Sequence, residues 1–128
     1  LITDKNIVFE KNGCGGVFLS GNNILYQGVT CNKYALPSHY KAFLELNYKC
    51  NKSFVVGIIA YGSSNMLLGQ IPSKEISAEE TWSKIYVNLS DVISLFPTAT
   101  NFAIYFAMLN NINSTPAYLY LDNIKLLH

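Results

Sequence analysis

Short runs of β-branched and aromatic residues alternate along the chain with clusters of Asn, Gly, Ser and Pro at roughly eight- to twelve-residue intervals. Period-two alternation dominates and helical periodicity is nearly absent, so the chain reads as strands. Residues 6–10, 17–19 and 24–26 come first, separated by Gly13-Cys14-Gly15-Gly16 and Ser20-Gly21-Asn22-Asn23. Residues 42–49 and 54–61 follow, and the short Cys50-Asn51-Lys52-Ser53 spacer predicts a hairpin between two adjacent antiparallel strands. In the first of these, Leu44, Leu46 and Tyr48 alternate with Glu45, Asn47 and Lys49, predicting one buried and one open face. The second is apolar on both faces, the pattern of a central strand. Residues 66–71 form another run, after which Pro72 and the polar stretch 73–81 predict a loop or a helical turn.

Trp82 opens the next strand, where Ile85, Val87 and Leu89 alternate with Lys84, Tyr86 and Asn88. Ser90-Asp91 resembles a helix N-cap ahead of one turn over 92–96, stopped by Pro97. Residues 102–109 set Phe102, Ile104, Phe106 and Met108 against Ala103, Tyr105 and Ala107, and 117–127 close the chain as a long strand. About nine strands with at most one short helical turn predict an all-β, two-sheet antiparallel β-sandwich, a single domain over residues 1–128.

Composition narrows the function. Half of the 128 residues are apolar and 13% are charged, which supplies one core and makes no case for disorder. A net charge of +1 offers no field for a polyanion, so nucleic acid is set aside. All nine cations are Lys, so guanidinium clamps on phosphate or carboxylate are missing. The longest apolar run, 54–61, falls far short of the roughly 20 residues of a membrane-spanning helix. The start Leu1-Ile2-Thr3 carries no leader pattern, the expectation for a mature or excised part of a larger secreted protein.

Candidate chemistry is sparse. Cys14, Cys31 and Cys50 form no C-x-x-C pair and are joined by two histidines, His39 and His128, a poor zinc set. The odd count permits at most one disulfide, in any of the three pairings, or else three thiols acting as small hydrophobes. Gly13-Cys14-Gly15-Gly16 leads into no Lys-Ser/Thr or helix and reads as a loop. The N-x-S/T triplets at Asn51, Asn88 and Asn113 occur in an Asn- and Ser-rich chain and carry little weight. His39 stands beside Pro37-Ser38 without a nucleophile signature. Glu75, Glu79 and Glu80 read as a solvated surface, and Glu45 alone makes no acid–base pair. No enzyme is expected.

The C-terminal half carries a resemblance. Trp82-Ser83-Lys84-Ile85-Tyr86-Val87-Asn88-Leu89, then Phe102-Ala103-Ile104-Tyr105-Phe106, then Tyr118-Leu119-Tyr120-Leu121-Asp122-Asn123-Ile124-Lys125-Leu126 resembles the jelly-roll domains of the carbohydrate-binding-module and galactose-binding-like group. It is also similar to sandwich domains of surface lipoproteins from Bacteroidetes-type bacteria. The likeness covers the closing strands well and residues 6–10 and 40–61 more loosely, and it implies a jelly roll. In many such domains a closing-strand Asp and an acidic residue after the first strand share a structural calcium. The matching positions are Asp122 and Glu10, so the resemblance implies calcium there, with loop carbonyls completing the oxygen shell. No other cofactor is expected. Asn123, not a second acid, follows Asp122. The alternative is a bulge whose side chains satisfy backbone donors and which shifts the inward phase from Leu119 and Leu121 to Ile124 and Leu126.

Sugar sites on these sandwiches combine exposed aromatic faces with amide and carboxylate groups. Strand parity puts Glu45, Asn47, Tyr61, Tyr86, Asn88 and Tyr105 outward, on one face if their strands are neighbours, with Gly57, Ala103 and Ala107 leaving the rings accessible. A loop-covered face, or Tyr chosen for β-propensity, fits the same residues. Trp82, at the head of a strand, is expected to pack. The function expected is that of a non-catalytic, extracytoplasmic module binding neutral carbohydrate. The alternative is a structural or adhesion domain of a cell-surface lipoprotein that contacts another surface protein. Nothing in the sequence indicates an oligomeric state.

Overall fold

A computed structural model describes residues 15–21, 24–29, 33–36, 41–111 and 115–127. Among them are eight strands: β1 (Gly15–Leu19), β2 (Leu25–Val29), β3 (Phe43–Cys50), β4 (Phe54–Tyr61), β5 (Leu67–Ile76), β6 (Glu79–Asn88), β7 (Asn101–Leu109) and β8 (Ala117–Leu127). They pair antiparallel in a first sheet ordered β1-β8-β3-β6 and a second ordered β2-β7-β4-β5. The alternating pattern predicts the two-sheet sandwich, and the interleaved order is that of the jelly roll that the resemblance implies. The strand expected at residues 6–10 lies outside the described residues.

The core lies between the sheets. Leu44, Leu46 and Tyr48 of β3 face Phe54, Val56 and Ile58 of β4 in one cluster, joined by Ile104 and Phe106 from β7 and Leu119 and Leu121 from β8. Each fully buried side chain of this size removes apolar area worth about 1.5–3 kcal/mol, and that burial decides which face of each strand turns inward.

One expectation is overturned by this packing. β3 and β4 are not hydrogen-bonded neighbours: β3 pairs with β6 and β8, and β4 with β5 and β7. Two consecutive strands that both carry an inward apolar set bury more surface stacked face to face than side by side, so the chain changes sheets at residues 51–53. The Tyr48 and Phe54 rings meet edge-on across this corner, with centroids 5.6 Å apart and planes at 62°. Asn51 fastens it, its Oδ1 accepting from Tyr118 N and its Nδ2 donating to Pro116 O, both at 2.8 Å.

Two boundaries also shift. β5 continues through Pro72 to Ile76, and β6 begins at Glu79, so most of the expected loop is strand. Pro72 is tolerated because β5 is an edge strand and the register slips beside it, between Val56 and Gly57 of the partner. The short helix α1 spans Ser90–Ser94, and Ser90 does not cap it. Instead Ser90 N donates to Asn88 Oδ1 at 2.9 Å, and Ser90 Oγ accepts from Ala42 N at 3.0 Å.

Cys50 is fully buried as a free thiol, directed at the Ser77 carbonyl oxygen at 4.0 Å. Cys14 and Cys31 lie outside the described residues.

Gly57 sits in the middle of β4 where a Cβ would fall against the Ile71 carbonyl oxygen and the Tyr105 ring. Gly57→Ala is expected to destabilise the domain by about 1–3 kcal/mol. Denaturant titration of the variant beside wild type checks this, with an unchanged midpoint contradicting the close approach.

Candidate functional site

The stacking of β3 on β4 separates the residues that parity placed outward. Glu45 and Asn47 on β3, with Tyr86 and Asn88 on β6, lie on the outer face of the first sheet. Tyr61 on β4 and Tyr105 on β7 lie on the outer face of the second. The expectation of one shared face is therefore corrected: the two groups point to opposite sides of the sandwich, because β3 and β4 are in different sheets.

The four residues of the first sheet do come together. Glu45 is the cross-strand partner of Tyr86, Asn47 of Lys84, and Phe43 of Asn88. Lys84 Nζ pairs with Glu45 Oε1 at 3.2 Å, the lysine half-exposed and the glutamate largely covered. Tyr86 is 55% exposed, so its ring presents apolar surface to solvent beside this ion pair. Asn47 is buried, 2% exposed, and forms the bed of the face rather than its reach.

The second sheet uses its rings differently. Lys33 Nζ stands 3.8 Å from the Tyr61 ring centroid and donates to Asn65 Oδ1 at 3.2 Å. Asn65 is held there by a tight turn in which Ser64 and Asn65 have φ of 57° and 58° and Met66 N donates to Ser63 O at 3.2 Å, the geometry that suits a twisted two-strand hairpin. The ammonium thus takes the ring face that a sugar would need. Tyr105 is 5% exposed, packed over Gly57 with Ile59 and Ala103, and hydrogen-bonded to the Gln70 side chain. Gly57 and Ala103 are small so that this ring can pack down, not so that it stays open.

Parity within 117–121 also carries a pair that the sequence reading used only as a fold signature. With Leu119 and Leu121 inward, Tyr118 and Tyr120 project outward and stack, centroids 5.1 Å apart and planes at 27°. Phe18, the partner of Tyr118 on β1, is 64% exposed. These rings extend the first sheet's outer face away from Tyr86. Trp82, expected to open its strand, is instead the fourth residue of β6, that sheet's edge strand, which already begins at Glu79, and it is half-buried there.

Asp122 lies across from Asn47 in the β3–β8 ladder. The register places Asn123 and Ile124 together opposite Leu46, and Asn123 has φ of 51°, so β8 bulges there. The bulge shifts the inward phase: Leu126 packs on the core beside its partner Leu44, while Ile124 is left 43% exposed. Asp122 Oδ1 accepts from Asn123 N at 2.8 Å, and its Oδ2 is buried with no hydrogen-bond partner among the described residues. Among those residues no three His, Cys, Asp or Glu side chains gather, so they do not by themselves build a calcium cage. Glu10, the expected second ligand, lies outside them.

Four groups are held in their neutral forms. Burial pushes the Cys50 thiol upward despite a backbone hydrogen bond from Glu79, and burial with the nearby Glu79 charge does the same to Tyr48. Burial raises Tyr105 and, with help from Glu80, Tyr118. In each case the unfolded chain ionises at lower pH than the folded one, so the stabilisation is complete below the ordinary thiol and phenol range and is lost as the pH rises through it. The denaturant midpoint is expected to fall between about pH 8.5 and pH 11, and Cys50→Ala should flatten the first part of that fall. A flat profile would contradict these environments. In chelator-containing buffer, Asp122→Asn is expected to raise stability by about 1 kcal/mol, since it retains the acceptor for Asn123 N and puts an uncharged amide in place of a buried carboxylate oxygen that has no donor among the described residues. A lower melting temperature for this variant would contradict that account.

No family model matches the chain, and no curated protein does. Two of the solved structures similar to it are carbohydrate-binding modules by their descriptions. One, described as "CBM4 structure and function", is 12% identical over 88% of this chain and 82% of that one, with a TM-score of 0.46. The other, "Family 16 Carbohydrate Binding Module-2", is 17% identical over 88% and 76%, with a TM-score of 0.47. Similarity at this level carries no argument about what this chain binds.

Proposed function

We propose that this domain is a non-catalytic, extracytoplasmic carbohydrate-binding module that holds a neutral glycan against the outer face of its first sheet. The observation that carries the reading is the half-exposed Tyr86 ring standing across from Glu45 and its Lys84 partner, with Asn88 next on the same strand face. A pyranose has an apolar C–H surface bordered by hydroxyls. The C–H surface stacks on Tyr86 while Glu45 accepts, Lys84 donates, and the Asn88 amide, its Oδ1 held by Ser90 N, donates through Nδ2. The ion pair is neutral overall, and with a chain charge of +1 it favours uncharged sugars over acidic ones. The sheet backbone fixes these groups before the ligand arrives, which lowers the ordering cost of binding.

One observation favours a second reading. Phe18, 64% exposed beside the stacked Tyr118 and Tyr120, suits contact with another surface protein in a structural or adhesion role.

A glycan array followed by titration of the best ligand separates the two. Tyr86→Ala is expected to weaken binding about tenfold, the equivalent of roughly 1.4 kcal/mol for a lost stacked ring. Tyr61→Ala, on the opposite side, should leave it unchanged. Undiminished binding by Tyr86→Ala would remove this face, and binding to no glycan would favour the protein-contact reading.

A further inference from the structure

At the end of the second sheet's outer face remote from Tyr61, a cavity of about 320 Å³ opens among β2, β4, β5 and β7. Val55 and Ala107, cross-strand partners, are half-buried along it, and a second partner pair, Leu25 and Leu109, flanks it with each side chain 65% exposed. Glu75 stands across from Val55 on β5, and Ser53 Oγ donates to its Oε1 at 2.9 Å. The ion pair recorded among the described residues joins Lys84 to Glu45, so Glu75 is a carboxylate oriented by a hydroxyl and not neutralised by a cation there.

Aliphatic walls with one oriented carboxylate specify their complement. The one aromatic residue along the cavity, Phe54, is 1% exposed with its side chain in the core, so no open ring face is offered for sugar stacking. An alkyl stem ending in an ammonium satisfies both parts, the stem covering the aliphatic surface and the charge meeting the carboxylate. The exposed leucine pair extends the apolar surface beyond the cavity mouth. A small free amine would leave it in water, whereas residues flanking a lysine in a polypeptide would cover it.

We propose that this cavity receives a lysine side chain presented by a partner polypeptide, its stem against Val55 and Ala107 between Leu25 and Leu109, and its ammonium on Glu75. The site is on the opposite side of the sandwich from Tyr86 and does not depend on glycan binding there.

The test is a methyl-detected NMR titration of the domain with a capped pentapeptide carrying a central lysine between leucines. Controls are the same peptide with norleucine in place of lysine, and n-butylamine. Shifts are expected at the methyls of Leu25, Val55, Ala107 and Leu109. The lysine peptide should bind roughly three- to tenfold tighter than the norleucine peptide at low salt, the range of a partly exposed charged contact. That preference should shrink as salt is raised and vanish in Glu75→Gln, an exposed substitution of equal size. The proposal is overturned by equal binding of the two peptides, by a lysine preference that survives Glu75→Gln, by shifts confined to other methyls, or by no shift at millimolar peptide. Binding of n-butylamine as tight as that of the peptide would also overturn it.

Discussion

The structure depends on β3 and β4 packing against each other across the sandwich instead of pairing within one sheet. Both strands carry three large inward side chains in succession, and the three-residue connection between them is long enough to turn a corner. Once Tyr48 and Phe54 are in contact and Asn51 is bonded to the start of β8, the remaining partners follow. β3 must find β6 and β8 at its edges, and β4 must find β5 and β7. Every outward residue on the two strands is then sent to opposite sides of the molecule.

The two outer faces differ because their central strands differ. β3 alternates, so its outward residues are Glu45, buried Asn47 and Lys49, and the surface above them is an ion pair bordered by rings. β4 is apolar on both faces, so its outward residues need cover from their own sheet. Tyr105 supplies it by lying across Gly57 toward Gln70, and Lys33 supplies it over Tyr61. That cover does not extend to Val55, and the cavity beside Glu75 opens there. The same type of side chain, an outward tyrosine on a strand, is thus an open platform at Tyr86 and packing material at Tyr105.

The bulge at Asn123 connects these faces to the end of the chain. By letting two residues oppose Leu46, it returns Leu126 to the core after Leu119 and Leu121 have faced inward in the other phase. It also sets Asp122 across from Asn47, and a carboxylate oxygen is left buried without a donor among the described residues. A straight strand would have turned Lys125 into the core, so the local irregularity keeps a charge in water.

Alternation within single runs was enough to determine the all-β class, most strand positions, the inward sets of β3 and β7 and of β8 apart from Ile124, and the outward parity of all six proposed site residues. Those properties arise from a period of two and from burial of one face, which neighbouring residues encode locally. Which strands are neighbours was decided by the tertiary structure, because the choice between pairing and stacking at residues 51–53 depends on surface supplied by β6, β7 and β8, distant in sequence. For that reason Glu45 and Tyr86 belong together and Tyr61 and Tyr105 do not join them. The exposure of a given ring was likewise beyond local reading. It depends on a glycine opposite Tyr105, a lysine above Tyr61, and nothing comparable above Tyr86 among the described residues.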